Sequence, residues 1–247
     1  DTGTGGAWPC STDREVWAIA AWEVFLETGD YGWLRQVYPI IRRSLEDDLE
    51  TAYNPESGLY RGESSFIDWR QQSYPEWMQP VDISQSECLG TNAVFYRALD
   101  VMAQMAKMLG GGKKSDEKKF TQRAASLKQA INSNFWLEEE GYYAQYRYGR
   151  TAKVLSPRAE TLGESLCILW GIASADQARA IIENVPVCEY GPVIFTPQIS
   201  SQQSYHNNAI WPFVTSFWGK AAAQTGNRTA LMHAIASNER AAAAFGS

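Results

Sequence analysis

The chain has 247 residues, 45% of them hydrophobic and 20% charged, with a net charge of −6. That is enough apolar material for one large domain with a sizeable core, and too apolar for a disordered chain. The acidic balance argues against a nucleic-acid partner, which needs a basic face. No run of about eighteen apolar residues offers a membrane span, so no membrane insertion is expected.

The opening "DTGTGGAWPCSTDRE" reads as the middle of a loop. We therefore read 1–247 as a single domain, a fragment of a longer chain. No signal peptide is visible, and a periplasmic or secreted location is the expectation for a bacterial protein. The four cysteines, Cys10, Cys88, Cys167 and Cys188, have no CxxC or zinc spacing. Cys88 and Cys167 lie in helical patterns as small core residues.

In chain order, Thr12 and Glu15 form a capping-box pattern before a face of Val16, Trp17, Ala20 and Val24. Gly29 closes that helix, and Asp30 caps a second one over 31–51, with a kink expected at Pro39. Ser84 and Glu87 announce a long helix to about Met108. The glycines 110–112 turn it into a partner over 116–135. Next, 160–171 turns at "IASAD" into 176–184, and 208–224 turns at "TGN" into 228–244. This gives about eight helices in four antiparallel hairpins.

The first members are rich in Trp, Ala and Gly ("WAIAAWEVF", "LGESLCILWG", "AIWPFVTSFWGKAAA"). Their partners carry more charge ("LRQVYPIIRRSLEDDLE", "KKFTQRAASLKQAI"). An inner layer packed on both sides and a half-solvated outer layer are the expectation. The fold class predicted is all-α: an α/α toroid of helical hairpins, of (α/α)6-barrel type but incomplete, because six hairpins need twelve helices. A two-layer solenoid is the plainer alternative, opposed by unequal loops and the lack of a fixed period.

The links between hairpins, 52–83, 136–159 and 185–206, are long and full of Gly, Pro, Tyr and Trp, as functional loops are. Only two histidines, His206 and His233, are present, which excludes a multi-histidine metal centre. There is no GxSxG elbow. "LGGGKKS" lacks the first glycine of a phosphate loop, because Lys107 stands in its place, and reads as a hairpin turn.

Carboxylates remain: Asp13, Glu63, Asp68, Glu76, Glu160 and Glu189, with Trp8, Trp69, Tyr74, Trp77, Tyr190 and Tyr205 around them. Sugar rings pack C–H faces on aromatics and bond their hydroxyls to acids. Paired carboxylates are the machinery of glycoside hydrolysis: one, with a raised pKa, protonates the leaving oxygen while the other activates water or attacks. Plainer readings stand beside these. Asp68 could cap a turn and pair with Arg70; Glu160 could be a first-turn acid favoured by the helix dipole. Asp13 and Arg14 could be a cap and its ion pair, and His206 a hydrogen-bonding residue ahead of a helix.

Three segments resemble a known clan. "SSFIDWR" resembles the acid-bearing segment of the six-hairpin glycosidases, particularly glycoside hydrolase family 63 and the mannosylglycerate-hydrolase-like group. It is also similar to the Gly-Trp-Asp-Phe-Ser-Ser-Arg segment of trehalases. "YHNNAIWPFVTSFWGKAA" looks like the clan's Trp-Pro inner helix, and "STDREVWAIAAWEVFLETGD" like an early inner helix. The resemblance implies an (α/α)6 barrel with an acidic pocket at one end and inverting hydrolysis of a glycosidic bond. It places Asp68 as general acid, flanked by Trp69 and Arg70. Tyr205, His206, Asn207 and Trp211 fall on the substrate-lining segment.

The chain departs from the clan at the base, which should follow the last outer helix; either it lies beyond Ser247, or Glu160 or Glu87 is brought in by the fold. Trp8, Asp13, Arg14 and Glu87 complete the expected substrate contacts. The function expected is an inverting glycoside hydrolase on α-linked sugars, with an oligosaccharide or glycoside as partner and no cofactor. A non-catalytic carbohydrate-binding toroid and a sugar epimerase are the alternatives. A polysaccharide lyase would want a basic cleft.

Overall fold

The computed structural model describes residues 12–64, 74–200 and 204–245, and of Asp13, Arg14, Ser204 and Tyr205 the backbone alone. Trp8, Cys10, Asp68, Trp69 and Arg70 lie outside the described residues.

Helix α1 spans Asp13–Thr28 and α2 Tyr31–Thr51. Their junction follows from two residues. Gly29 takes a left-handed φ of 64° and its N–H closes on Phe25 O, while the Asp30 carboxylate accepts from the N–H groups of Gly32 and Trp33. A short helix α3, Pro80–Ser84, precedes α4, Leu89–Leu109, and α5, Lys114–Phe135. Then come α6, Thr161–Leu169, and α7, Ala175–Asn184, the latter opened by a Ser174/Gln177 capping box. The short α8, Ser204–Asn207, leads to α9, Pro212–Gln224, and α10, Arg228–Phe245.

The expected hairpins are present: α1/α2, α4/α5, α6/α7 and α9/α10. Helices α1, α4, α6 and α9 pack in succession as an inner layer, and α2, α5, α7 and α10 lie outside them. Helix α6 is buried from Thr161 to Ile168, and α4 buries residues on every side. Outer helices bury one face only, as α5 does with Phe120, Ala124, Leu127, Ile131 and Phe135. Helix α2 runs unbroken through Pro39.

Four local expectations are corrected. Thr12 stands at the start of α1 without a side-chain cap bond. Helix α1 buries Ala18, Ala21, Trp22 and Phe25, and exposes Trp17, Ala20 and Val24. The apolar residues cover both sides of this helix, and only one side meets α2 and α4. Ser84 and Glu87 do not open α4. Ser84 closes α3, and Glu87 lies on a strand. Helix α9 begins at Pro212, not Asn208, because proline lacks the N–H that an interior position would use but fits the first turn.

The loops also hold short antiparallel ribbons too brief for a period of two to register. They are β1 Tyr53–Asn54 with β2 Leu59–Tyr60, and β4 Trp136–Leu137 with β5 Tyr142–Tyr143. Strand β3, Glu87–Cys88, pairs with β6, Tyr146–Tyr148, which pairs with β7, Val154–Leu155. Strand β8, Ala159–Glu160, pairs with β11, Phe195–Thr196, and β9, Val187–Cys188, with β10, Gly191–Pro192.

One side chain ties this loop layer to the core. Buried Asn92 accepts from Tyr60 N at 2.7 Å and donates to Tyr60 O at 3.0 Å and Cys88 O at 2.8 Å. Above it, the rings of Tyr60 and Phe95 stack 3.9 Å apart. Replacing Asn92 with Ala strands two buried backbone groups, the N–H and C=O of Tyr60. We expect Asn92→Ala to lose roughly 3 kcal/mol of stability, read as a lowered urea midpoint; an unchanged midpoint would refute the clamp.

Candidate active site

All four inner helices begin at one end of the layer. Hydrogen bonds between the outer helices α2 and α5 run Tyr38 to Asp116 and Leu45 to Arg123, so the two are parallel. Their antiparallel partners α1 and α4 are parallel in turn. Thr161 N bonds Ile194 O and Ile194 N bonds Ala209 O, which brings the starts of α6 and α9 together. Gln224, at the end of α9, reaches Ile168 O at the end of α6. Every expected site residue among the described ones therefore collects at the end where Glu87, Glu160 and Trp211 precede α4, α6 and α9.

Glu160 is the N-cap of α6. Its Oε1 accepts from Gly163 N at 3.1 Å. Its other oxygen, Oε2, is pressed between two glycines: a Cβ would lie 2.6 Å away at Gly163 and 2.8 Å away at Gly90. Gly90 is in the first turn of α4, so this one carboxyl marks where two inner helices approach closely. The position is sealed from solvent. Burial pushes the Glu160 carboxyl up to about 8, against the opposing pull of the Gly163 and Leu162 amides. One turn on, Glu164 is also fully buried, with Oε1 accepting from Tyr143 N at 2.9 Å. Burial raises it well above the ordinary carboxylate range, and its neighbour Glu160 adds to the rise.

Gly90 and Gly163 were not singled out from sequence, though a signal was present. "ECLG" at 87–90 and "ETLG" at 160–163 are the same Glu-x-Leu-Gly pattern at the mouth of two inner helices. In both the glutamate is buried, but for different ends. Glu87 accepts from Asn54 and Ser57, each at 2.7 Å, and pairs with Arg147 at 3.0 Å. It clasps three loop segments with both oxygens engaged. Removing such a group would strand a half-buried arginine and a buried amide.

The segment 62–77 is strapped at both ends. Gly62 O accepts from Ser86 Oγ at 3.1 Å and from Cys88 Sγ at 3.3 Å, and Glu63 O accepts from Thr91 Oγ1 at 2.5 Å. Ser64 N donates to the hydroxyl of Tyr74 at 2.7 Å. Tyr74 is fully buried, and burial holds its phenol well above the usual range, as a neutral hydroxyl. Glu63 is buried at the same neck. Cys88 and Cys167 are buried free thiols, as expected, and Cys188 is exposed.

At the start of α9, His206 is buried with its ring 5.0 Å from Trp211, edge to face. Asn207 accepts from Ile199 N at 2.6 Å and donates to Ile199 O at 2.7 Å. Tyr205 lies in α8, and Asp13 and Arg14 in the first turn of α1. Glu76 and Glu189 are exposed. The second histidine, His233, is on outer helix α10 and bonds Cys188 O at 2.9 Å; a relay between two histidines finds no support in that placement. Among the described residues no group of three His, Cys, Asp or Glu is arranged to hold a metal ion, and no helix is long and apolar enough to cross a membrane.

An inner and an outer layer of helical hairpins, with long loops and buried acids gathered at one end, form the architecture of an all-α toroid. The profile of the family described as the bacterial alpha-L-rhamnosidase 6 hairpin glycosidase domain matches residues 7–179, and the chain belongs to that family of glycoside hydrolases. Among solved structures it resembles a glycoside hydrolase family 78 rhamnosidase from Bacillus sp. GL1, at a TM-score of 0.67 and 19% identity. That match covers 94% of this chain and 22% of the other. A rhamnosidase from Klebsiella oxytoca with rhamnose bound matches at 0.60 and 17%, over 92% and 36% of the two chains. The neutral trehalase of Saccharomyces cerevisiae matches at 0.63 and 11%, over 88% and 53%. The chain thus spans between about a fifth and about half of these structures. No curated protein sequence matches. The clan is the one the sequence motifs resemble; the family shown within it is the rhamnosidase one.

The raised carboxyl of Glu160 has a thermodynamic signature. Its value is near 4.5 unfolded and about 8 folded, so the folded chain binds more protons across that window. Stability is then fully present below about pH 4.5 and is lost as pH rises through about 8. We expect Glu160→Gln to flatten this decline, measured as urea midpoints between pH 5 and pH 8. A slope identical to wild type would show that Glu160 ionises normally.

Proposed function

We propose that this domain hydrolyses the glycosidic bond of α-linked sugars with inversion, Asp68 acting as general acid. The observation that carries this reading is the strap at 62–64 and 74. It holds Glu63 and Ser64 on one side of Asp68 in the chain to Thr91 and Tyr74, which supports a general acid carried at the start of α4. Trp69 and Arg70 flank the acid, and Tyr205, His206 and Trp211 line the sugar. In this reading Trp8, Asp13 and Arg14 are further sugar contacts. The family, and the rhamnose bound in the Klebsiella enzyme, make α-L-rhamnosides the first substrates to test.

In this reading the water-activating base is an ionised carboxylate that solvent reaches. The sealed, neutral state of Glu160 suits a different task, holding the pocket floor by keeping α4 and α6 in register. Glu87 and Asn207, each bonded to neighbouring chain, hold the loops that carry the pocket. In an inverting pair the acid and base stand ~6.5–9.5 Å apart, leaving room for water between them.

The test compares wild type with Asp68→Asn on an aryl α-L-rhamnoside. We expect kcat to fall by at least about 100-fold while calorimetric affinity for rhamnose is kept; undiminished turnover would remove Asp68 from the mechanism. Tyr74→Phe deletes only the hydroxyl that holds Ser64. We expect kcat to fall about tenfold at nearly constant KM, from a misplaced acid, with full kcat refuting the strap's role. Rhamnose binding by wild type without turnover on any α-linked substrate would favour the carbohydrate-binding toroid.

A further inference from the structure

The strap at Tyr74 is also the inner end of a row of rings. Tyr74 lies 5.5 Å from Tyr146, Tyr146 lies 5.7 Å from Tyr148, and Tyr148 lies 5.4 Å from Trp77, centroid to centroid. The row starts fully buried and ends in solvent: Tyr74 and Tyr146 are each 1% exposed, while Trp77 is 56% exposed. A lone exposed aromatic needs no explanation. This one does, because the chain holds it in place from two sides.

Strand β6 is paired on both edges, Cys88 opposite Tyr146 and Val154 opposite Tyr148. Just beyond β6, Arg150 grips Asp82 of α3 with two nitrogens, at 2.6 and 3.1 Å. Lys153 donates to Gln85 O at 2.7 Å. On the other side Trp77 is followed by buried Met78, which packs with Tyr74, Ile83 and Tyr146. The platform is therefore rigid before any ligand arrives, which lowers the entropy that binding must overcome. It stands at the same end of the inner layer as the strap, three residues along the chain from Tyr74.

We propose that Trp77 and Tyr148 form a stacking subsite for a sugar unit beyond the one that is cleaved. A pyranose C–H face fits an exposed indole flanked by a phenol, and uncharged stacking would accept a run of saccharide leading away from the acid. The inference rests on the glycoside hydrolase reading, since it assigns the platform to the same substrate.

The experiment is titration calorimetry with two probes, an α-linked tetrasaccharide ending in rhamnose and free L-rhamnose, on wild type, Trp77→Ala, Trp77→Phe and Tyr148→Ala. We expect Trp77→Ala to weaken the tetrasaccharide about tenfold and Tyr148→Ala less, with Trp77→Phe in between. Affinity for rhamnose stays unchanged in all three. Equal tetrasaccharide affinity in wild type and Trp77→Ala overturns the subsite and leaves the hydrolase reading intact. Equal weakening of both probes also overturns it, because the substitution would then act through the fold. Wild type that binds neither probe overturns it as well, while turnover by wild type and Asp68→Asn judges the hydrolase reading separately.

Discussion

The structure depends on one close approach. Helices α4 and α6 meet where neither has a Cβ, at Gly90 and Gly163, and the carboxyl of Glu160 fills the space between them. Glycine in a helix costs up to about 1 kcal/mol against alanine, so its presence in two first turns needs a return. The return is the registry of the inner layer. With α4 and α6 in contact at their first turns, the loops ahead of them are forced to the same rim. The acids and rings they carry collect there without further instruction.

Burial then decides what each acid can do. Glu160 and Glu164 are sealed, and both are held above the ordinary carboxylate range. Glu87 is sealed too, but it meets a guanidinium and two polar side chains. Three carboxyls near the same rim thus sit in different surroundings, two raised by burial and one clasped by its partners. The long inter-hairpin segments carry further acids, of which Glu76 and Glu189 are exposed.

Much of this was legible in the chain. The hairpins could be read from their punctuation: Gly29 and Asp30, the glycines at 110–112, and the aromatic, alanine-rich character of inner helices against charged outer ones. The face of α1 could not, because Trp17 and Val24 are as apolar as Ala18 and Trp22, and only the position of α2 and α4 selects between them. The ribbons were missed because two-residue strands carry no period. Glu160 was legible as an acid at a helix start, with a cap and a catalytic group equally allowed by its residue type. The pair of glycines facing it across a tertiary contact gives it a packing role besides, and a linear pattern shows these only once the Glu-x-Leu-Gly repeat is recognised. Asn207 was read as a sugar ligand from its place in a motif; its bonds to the backbone of Ile199 add a structural role that the motif does not reveal.

The bond between Ser64 and Tyr74 has a consequence for how such a domain can change. It joins two residues ten apart in the chain, and with the bond from Thr91 to Glu63 it fixes where the segment between them leaves and returns beside α4. Loop closure entropy grows slowly with length, by about 0.6 kcal/mol per doubling. A loop closed by such a bond can therefore lengthen or shorten at little entropic cost. The tyrosine that ties its ends lets chain length between them vary while the helices beneath stay as they are.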